Sequence, residues 1–398
     1  MEDFFLKVSE APADSILGLA AAFRLDPRKD KQNLSVGVYQ TEDGKISILS
    51  SVKEAEKLIL ESEVTKNYLP IEGEALYLKE VASLVLGEDL YKAHQSSFSV
   101  IQTLGGVGAL RLGAEFAKQQ EISLCSLPDP TWPNHQGIFS QCGLNLPNYP
   151  YYDFQKKELG FEKMCQALGE LPPRSLVLLH VCCHNPSGAD LTKEQWKLLA
   201  DLMQKKQLIP FFDAAYLGFD RSFEEDAFPI RLFVSQGIEF LLAVSFSKNF
   251  SLYAERVGAF FLFSNPKRAP AILSQLKVLV RRNYSNPTLH GAKIVSTVLT
   301  TPSLRKKWEE ELMVMRERIA FLKRNLVSCF FKHSSKKDYS YLLDKKGLFS
   351  FCDLSKDQVG LLKDKHGIYM TSDGRMSIAG LNHQNIDAIV KAIIEVGG

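Results

Sequence analysis

The sequence of 398 residues has no apolar run that approaches the ~18 residues of a membrane-spanning helix. It also has no excess of one charge, because 48 basic and 46 acidic residues leave a net charge of +2. A strongly basic surface for nucleic acid or anionic lipid is therefore not expected. We expect neither a nucleic-acid partner nor a membrane, and other partners must be inferred from individual sites.

Cysteine is scarce, and the seven cysteines are odd in number and lack CxxC spacing. This pattern disfavours a disulfide framework. The first residues, MEDFFLKVSEAPAD, show no basic start followed by an apolar core, so no signal or transit peptide is expected. Together these features predict a protein of the reducing cytoplasm.

Short apolar segments alternate with amphipathic ones between about residues 97 and 265. Each short segment is rich in branched or aromatic residues and is bounded by Gly, Pro, Asn or Asp, which is typical of strands. The segments are SFSVIQTL, SLVLLHVCC, LIPFFDAAY, FLLAVSFS and VGAFFLF. Alternation of strands and helices predicts an α/β fold with a mostly parallel sheet covered on both faces.

Two helices are predicted with particular clarity. Thr192 can cap one helix while Gln195 reaches back to it, which is a capping box. After about residue 300, apolar residues recur at spacings of three and four along an uninterrupted helix. These residues are Leu304, Trp308, Leu312, Met315, Ile319, Leu322 and Leu326. We interpret this long helix as a connector into a second, smaller α/β domain.

Lys248 follows directly after the predicted strand FLLAVSFS. Open parallel sheets bind their ligands at the carboxyl ends of strands, so this position suits a reactive lysine. The simpler interpretation is a solvated loop lysine. A Ser-x-x-Lys nucleophile pair with Ser245 is a third interpretation, but the same spacing recurs elsewhere, as at Ser50/Lys53 and Ser303/Lys306, and no SDN or KTG motif accompanies it.

Other strand ends bring polar groups to the same edge of the predicted sheet. HNPSG follows one strand and FFDAAYLGF another, and they offer an Asn, an Asp and a Tyr. TLGGVGALRLG passes from strand to helix through glycines, which leaves backbone N–H groups for an anion. After Gly106 and Gly108 the next glycine is Gly113, so the GxGxxG pattern of a dinucleotide site is absent. A lysine, a buried acid and a phosphate cradle together fit pyridoxal phosphate.

At this point the chain resembles the fold-type I, pyridoxal-phosphate-dependent aspartate aminotransferases of the bacterial aspartate/aromatic group. The motifs that carry the resemblance are SKNFSLYAERVG, HNPSGADLT, PTWPNH, NYLPIEG and YSNP. The resemblance implies a large domain with a mostly parallel seven-stranded sheet and a smaller α/β domain. It places an N-terminal arm at residues 1–13, the small domain at 14–45 and 315–398, and the large domain at 46–314.

The resemblance also implies the residues of a shared active site. The cofactor would be held by Lys248, Asp213, Asn185, Tyr216, Trp132, Ser245, Ser247, Arg256, Gly106, Val107, Tyr68 and His180. The substrate would be bound by Arg375, Arg281, Gly37, Trp132 and Asn185. Lys248, Tyr216 and Asp213 would be the catalytic residues.

The implied roles of the cofactor residues differ. Lys248 resembles the Schiff-base lysine that moves a proton at the substrate α-carbon, and Asp213 the partner of the pyridine nitrogen. Asn185 and Tyr216 resemble the groups that bind the ring oxygen and lower the pKa of the Schiff base. His180 resembles the histidine that orients the aspartate.

The implied anion and substrate contacts use other residues. Ser245, Ser247 and Arg256 resemble the phosphate ligands. Trp132 resembles the indole that stacks on the ring, and Gly37 belongs to the substrate pocket.

Two arginines indicate dicarboxylate substrates, because a planar guanidinium binds a carboxylate through two parallel hydrogen bonds. Arg375 resembles the ligand of the α-carboxylate. Arg281 resembles the arginine that enters from a second subunit to bind the distal carboxylate, and Tyr68 the tyrosine that contacts the neighbour's phosphate. The resemblance therefore implies a homodimer acting on aspartate, on 2-oxoglutarate and, in the group's broader members, on aromatic amino acids.

Three alternatives remain open at this stage. Val107 stands where the family usually has a threonine, so the cradle has lost a hydroxyl, which would suit a non-catalytic binding or regulatory protein on the same fold. A decarboxylase or lyase would use the same cofactor, but paired carboxylate ligands disfavour it. His180, Cys182 and His184 alternate along a predicted strand, yet successive positions on one face of a strand lie ~7 Å apart, too far for one ion to bind all three. No metal site is expected.

Overall fold

The computed structural model describes residues 5–11, 16–333 and 336–397. Much of the predicted N-terminal arm, residues 1–13, lies outside these described residues. Within the part that is described, no helix combines the length and the apolar character needed to cross a membrane.

Strands make up one large sheet and three two-stranded pairs among the described residues. The strands are β1 (Gln32–Asn33), β2 (Phe98–Leu104), β3 (Cys125–Asp129), β4 (Asn148–Pro150), β5 (Tyr152–Asp153), β6 (Glu158–Leu159), β7 (Leu176–His180), β8 (Ile209–Ala214), β9 (Phe240–Ser245), β10 (Val257–Phe263), β11 (Phe349–Phe351), β12 (Ile368–Tyr369) and β13 (Arg375–Ser377).

Helices separate most of these strands and cover the sheet. They are α1 (Leu17–Leu25), α2 (Ser50–Ser62), α3 (Ala75–Leu86), α4 (Glu88–His94), α5 (Gly105–Gln119), α6 (Asn134–Gln141), α7 (Phe161–Gly169), α8 (Lys193–Lys206), α9 (Phe223–Asp226), α10 (Phe228–Ser235), α11 (Ala269–Asn283), α12 (His290–Thr300), α13 (Pro302–Lys332), α14 (Lys356–His366) and α15 (Ile386–Gly397). The capping box that the sequence predicts at Thr192 is present at the start of α8.

The large sheet has seven strands in the order β2-β10-β9-β8-β7-β3-β4. Only β10 runs antiparallel to its neighbours, so the prediction of a mostly parallel seven-stranded sheet is confirmed. Successive residues of one strand enter two different apolar cores, as Leu178 and Leu179 of β7 do. Both faces of the sheet are therefore buried, which is why its central strands are continuous apolar runs in the sequence.

Helix α5 lies close against the sheet because Gly113 has no side chain. A Cβ atom at that position would lie 2.4 Å from the ring of Phe211. The close approach brings the first turn of α5, which begins at Gly105, next to the carboxyl ends of the central strands. The helix terminus and the strand ends therefore face one region of space.

The long helix predicted after residue 300 is present as α13, which spans 31 residues. The seven apolar positions that the sequence pattern identifies are buried, and Trp308 is fully inaccessible. The Trp308 indole donates a hydrogen bond of 2.8 Å to the carbonyl of Asn249 and stacks on Phe250. The helix thereby holds the segment that directly follows Lys248.

The N-terminal and C-terminal parts of the chain meet through strand pairing. β1 pairs in parallel with β12, and β11 pairs with β13, while α14 and α15 pack on each other. The domain boundaries given by the resemblance stay a prediction, because pairing alone does not fix where one domain ends.

One sequence prediction is wrong in detail. β7 ends at His180, and Cys183 has a positive φ of 53°, so Cys182 and His184 do not continue an extended strand. The chain turns here because the Asp190 carboxylate accepts the backbone N–H groups of Cys183 and His184. These short hydrogen bonds favour a turn over a further strand residue.

Candidate active site

A cavity of about 510 Å³ lies where the strand ends and the first turn of α5 meet. All the predicted site residues except Tyr68 and Arg281 line it. They are Gly37, Gly106, Val107, Trp132, His180, Asn185, Asp213, Tyr216, Ser245, Ser247, Lys248, Arg256 and Arg375. A larger cavity, of about 1200 Å³, lies between α3, α4 and α13, but its lining includes none of the predicted residues.

Lys248 is the amine of this cavity. It follows β9 and places Nζ 4.9 Å from the centre of the Tyr216 ring. Burial lowers the pKa of Lys248, and Arg256 lowers it further, while the Asp213 carboxylate opposes both effects. A lowered pKa gives a larger fraction of neutral amine, which is the form that attacks a carbonyl.

Asp213 is a buried carboxylate at the end of β8, with only 7% of its surface exposed. Its Oδ2 lies 3.0 Å from His135 Nε2. Burial alone raises the pKa of the Asp213 carboxyl, but the hydrogen bond from His135 and nearby positive charge outweigh it, so the net pKa is lowered. The site therefore holds an ionised carboxylate that is almost completely buried.

His135 is the functional residue that sequence reasoning missed. Its Nδ1 lies 2.8 Å from the Thr131 hydroxyl, and this contact leaves Nε2–H to donate to Asp213. The motif PTWPNH contains His135, but nothing local shows that α6 delivers it to a carboxylate 78 positions further along the chain.

The described structure shows no direct hydrogen bond from His180 to Asp213, so the orienting role of His180 stays a prediction. Neither ring nitrogen of His180 has a hydrogen-bond partner among the described residues. The ring contacts His135 edge-on at 5.2 Å, and burial lowers the pKa of His180 to about 3. His180 is therefore a neutral ring in the cavity wall, and the hydrogen bond to Asp213 comes from His135.

An anion cradle forms at the start of α5. A Cβ atom on Gly105 would lie 2.6 Å from Arg256 Nη2, and one on Gly106 would lie 3.1 Å from Ser245 Cβ. The glycines thus let the helix terminus approach a guanidinium and a hydroxyl. Arg256 also donates to the Ser247 hydroxyl at 3.3 Å.

The first N–H groups of α5 receive no side-chain cap within the described chain. The positive end of the helix dipole acts together with Arg256 and the two serine hydroxyls. This donor set fits a phosphate dianion.

Arg375 is a second cationic site within the cavity, and only 2% of its surface is exposed. Nη1 donates to Asn185 Oδ1 at 3.0 Å and Nη2 donates to the Ser35 carbonyl at 2.7 Å. The guanidinium also lies over the Phe349 ring, 4.3 Å from its centre. Held on one side in this way, Arg375 has a fixed orientation suited to binding a carboxylate.

The two aromatic residues at the cavity have different surroundings. Tyr216 is buried, and burial raises its pKa well above the usual value. Trp132 is partly exposed and contacts His135 edge-on, with ring centres 5.2 Å apart. The Tyr216 hydroxyl therefore stays protonated as a donor, and the Trp132 indole forms part of the cavity wall.

Tyr68 and Arg281 are not brought together with the other predicted residues. Tyr68 is 88% exposed, and Arg281 is an exposed residue near the end of α11 that hydrogen-bonds Ser285. Neither lines the cavity formed by the described chain.

Around the cavity, the side chains that lie close enough to share a metal ion are not the three that alternate along the sequence. His135, His180 and Asp213 place their ligand atoms within 4.8 Å of one another, whereas His180, Cys182 and His184 do not form such a group in the described structure. The reason is the turn after β7. Asp213 is already engaged by His135, so we assign no metal to this group.

Comparison with known proteins decides the family. The sequence model of "Aminotransferase class I and II" matches residues 29–393. The chain is 43% identical over 394 residues to an aspartate aminotransferase of Pseudomonas aeruginosa, covering 98% of this chain and 99% of that protein. The chain belongs to this aminotransferase family. The family is pyridoxal-phosphate-dependent, and the fold is that of the fold-type I aminotransferases.

Other relatives are named for aromatic amino acids rather than for aspartate. An aromatic-amino-acid aminotransferase of Escherichia coli is 42% identical over 395 residues, covering 98% of this chain and all of that protein. The crystal structure of an aromatic-amino-acid aminotransferase of Burkholderia pseudomallei, covalently bound to pyridoxal phosphate, has a TM-score of 0.96 and 42% identity. That match covers 99% of each chain.

Val107 leads to the first prediction for this aminotransferase. It is 37% exposed in the cradle and offers no hydroxyl. A hydrogen bond to a charged acceptor contributes about 1.5–3 kcal/mol. Val107→Thr should therefore slow release of pyridoxamine phosphate, the aminated form of the cofactor, by roughly ten- to a hundredfold. Stopped-flow dissociation measures the rate, and Val107→Ala controls for the change in volume. An unchanged or faster release in the threonine variant would show that the missing hydroxyl is irrelevant.

Proposed function

We propose that this protein transfers the amino group of aspartate to 2-oxoglutarate with bound pyridoxal phosphate. The single observation that carries the proposal is the meeting of three groups in one cavity. They are the Lys248 amine, the Asp213 carboxylate held by His135, and the anion cradle at the start of α5. An amine, a buried anion and a phosphate site are what this cofactor requires.

The residues present fit the cofactor. Gly106, Val107, Ser245, Ser247 and Arg256 would hold its phosphate, and Lys248, Asp213, Asn185, Tyr216 and Trp132 would surround its ring. Pyridoxal phosphate, when bound, supplies an electron-accepting ring and a carbonyl carbon for an amine. His180 would contribute only to the wall beside Asp213.

The protein's own groups do the remaining work. Asp213, kept ionised by His135, would hold a proton on the ring nitrogen. Lys248 would take a proton from the substrate α-carbon and return it, because its lowered pKa increases the fraction of neutral amine. Tyr216, with its raised pKa, would stay a hydrogen-bond donor.

Arg375 would bind the α-carboxylate of the substrate, and Gly37 lies against the Phe349 ring that supports the Arg375 guanidinium. A Cβ atom on Gly37 would lie 2.5 Å from the Phe349 ring, on which the Arg375 guanidinium is stacked. Glycine at this position therefore leaves the ring and the guanidinium in place. The absence of a side chain also keeps the substrate pocket open.

We further propose a homodimer in which Arg281 and Tyr68 complete the cavity of the partner subunit. Both side chains are exposed and lie outside their own chain's cavity. A site for a dicarboxylate needs a second cation beside Arg375, and Arg281 is available for that role across a two-fold interface.

The proposed location is the cytoplasm. All seven cysteines are free, which suits a reducing compartment. A similar aspartate aminotransferase of rice is named as cytoplasmic.

Replacement of Lys248 tests the chemistry. Lys248→Ala should lower aspartate transamination by several orders of magnitude while leaving a folded protein, because the change removes both the nucleophile and the proton carrier. Steady-state assays and circular dichroism measure the two properties. Lys306→Ala, which changes an exposed lysine of α13 in another Ser-x-x-Lys sequence, is the matched control. Near-normal turnover in Lys248→Ala would refute the proposal.

Replacement of Arg281 tests substrate recognition. Arg281→Leu should reduce kcat/KM for aspartate by about a hundredfold or more, because a carboxylate buried without its partner costs several kcal/mol. Activity on phenylalanine should fall far less. The adjacent exposed Arg282→Leu is the control. Equal losses on both substrates would contradict the assignment.

A mixing experiment then shows which subunit's cavity Arg281 serves. When equal amounts of Arg281→Leu and Lys248→Ala chains are refolded together, half of the dimers are hybrids. If Arg281 serves the partner subunit, each hybrid has one cavity with both native residues and one cavity with neither. Because half of the dimers are hybrids, about a quarter of the wild-type aspartate activity should return. No recovery in a proven hybrid dimer would place Arg281 in its own chain's cavity or outside any cavity.

A further inference from the structure

The carboxylate of Asp190 accepts two backbone hydrogen bonds from the loop that follows β7. The backbone N–H of Cys183 donates to Asp190 Oδ2 at 2.6 Å, and that of His184 donates to Oδ1 at 2.8 Å. Both carboxylate oxygens are thus used on two consecutive backbone groups. The next residue is Asn185, whose side chain lines the cavity.

Asn185 has only one possible amide orientation. Its partner Arg375 can only donate, so the atom 3.0 Å from Nη1 must be the carbonyl oxygen Oδ1. The Nδ2 amino group is therefore left to donate elsewhere. Asn185 is 6% exposed and lines the cavity, so the cavity is where that donor can be used.

We propose that Asp190 is a positioning residue for the reaction, and that it acts by fixing where Asn185 presents its Nδ2 donor to the bound cofactor. The inference rests on the proposed function, because it assigns Asn185 a hydrogen bond to the cofactor. Asp190 itself does not line the cavity and touches no reacting atom.

The far side of the same loop has further backbone contacts. Gly188 N–H donates to the His184 carbonyl at 2.7 Å, and Lys346 N–H donates to the Gly188 carbonyl at 2.6 Å. A Cβ atom on Gly188 would lie 2.8 Å from the Phe349 carbonyl oxygen. Loss of Asp190 would therefore release the segment that leads into Asn185, while the contacts around Gly188 stay in place.

The loop after the neighbouring strand β8 is also held by a carboxylate. Asp226 accepts backbone N–H groups from Gly218 at 2.8 Å and from Asp220 and Arg221 at 3.1 Å each. That loop follows β8 and carries Tyr216. The two residues assigned to one oxygen of the cofactor ring thus each lie within two positions of backbone N–H groups held by a carboxylate outside the cavity.

The test is the pH dependence of cofactor absorbance in the holoenzyme. A hydrogen bond to the charged oxygen of the cofactor ring would lower the pKa that the absorbance reports. A misplaced Asn185 donor should therefore raise the pH midpoint of the absorbance change. We expect Asp190→Ala to raise it by about one pH unit. Asp190→Asn, which keeps the shape and one acceptor oxygen, should raise it by less. Asp201→Asn makes the same chemical change at an exposed position of α8 and should leave it unchanged.

A double variant separates positioning from a general loss of structure. If Asp190 acts through Asn185, Asn185→Ala should raise the midpoint as much as Asp190→Ala does, and the double variant should raise it no further. Additive shifts, or an unchanged midpoint in both Asp190 variants, would overturn the inference. Failure of the proposed function looks different, because the wild-type protein would then show no pH-dependent absorbance of bound cofactor at all.

Discussion

The hydrogen bond between His135 and Asp213 is the interaction on which the site depends. Asp213, at the end of a central strand, is buried apart from the side that faces the cavity, and an unpaired charge there would cost several kcal/mol or become protonated. His135 keeps the charge, because its hydrogen bond outweighs the effect of burial on the Asp213 pKa. The ionised carboxylate in turn opposes the loss of charge at Lys248, so the amine titrates under two opposing influences.

The fold places the other groups around this pair without long loops. β7, β8 and β9 end side by side, and each delivers its polar residues within a few positions of its last strand residue. α5 can approach these ends only because Gly105 and Gly113 lack side chains. α13 adds a fixed contact from Trp308 to the segment after Lys248. The rigidity of the cavity thus comes from close backbone packing as well as from polar contacts.

Local sequence patterns predict what depends on local physics. The capping box at Thr192, the long helix α13 and the strands that supply Asp213 and Lys248 follow from periodicity and end signals, and the structure has them. His135 and Asp190 were missed because their roles depend on contacts made when the chain folds, with Asp213 78 positions away and with the turn after β7. The resemblance paired His180 with Asp213, whereas the direct hydrogen bond to the carboxylate comes from His135, which only the folded side chains show. Tyr68 and Arg281 are recognisable by motif, but a single chain does not bring them to the cavity.

The most direct test is a crystal structure of the protein grown with pyridoxal phosphate. We expect continuous density between Lys248 Nζ and the carbonyl carbon of the ligand, with the ring nitrogen within hydrogen-bond distance of Asp213. We also expect that His135 still contacts the other side of that carboxylate and that the phosphate lies at the first turn of α5. A ligand bound with its ring nitrogen away from Asp213, or an Asp213 that has left His135, would contradict the central claim.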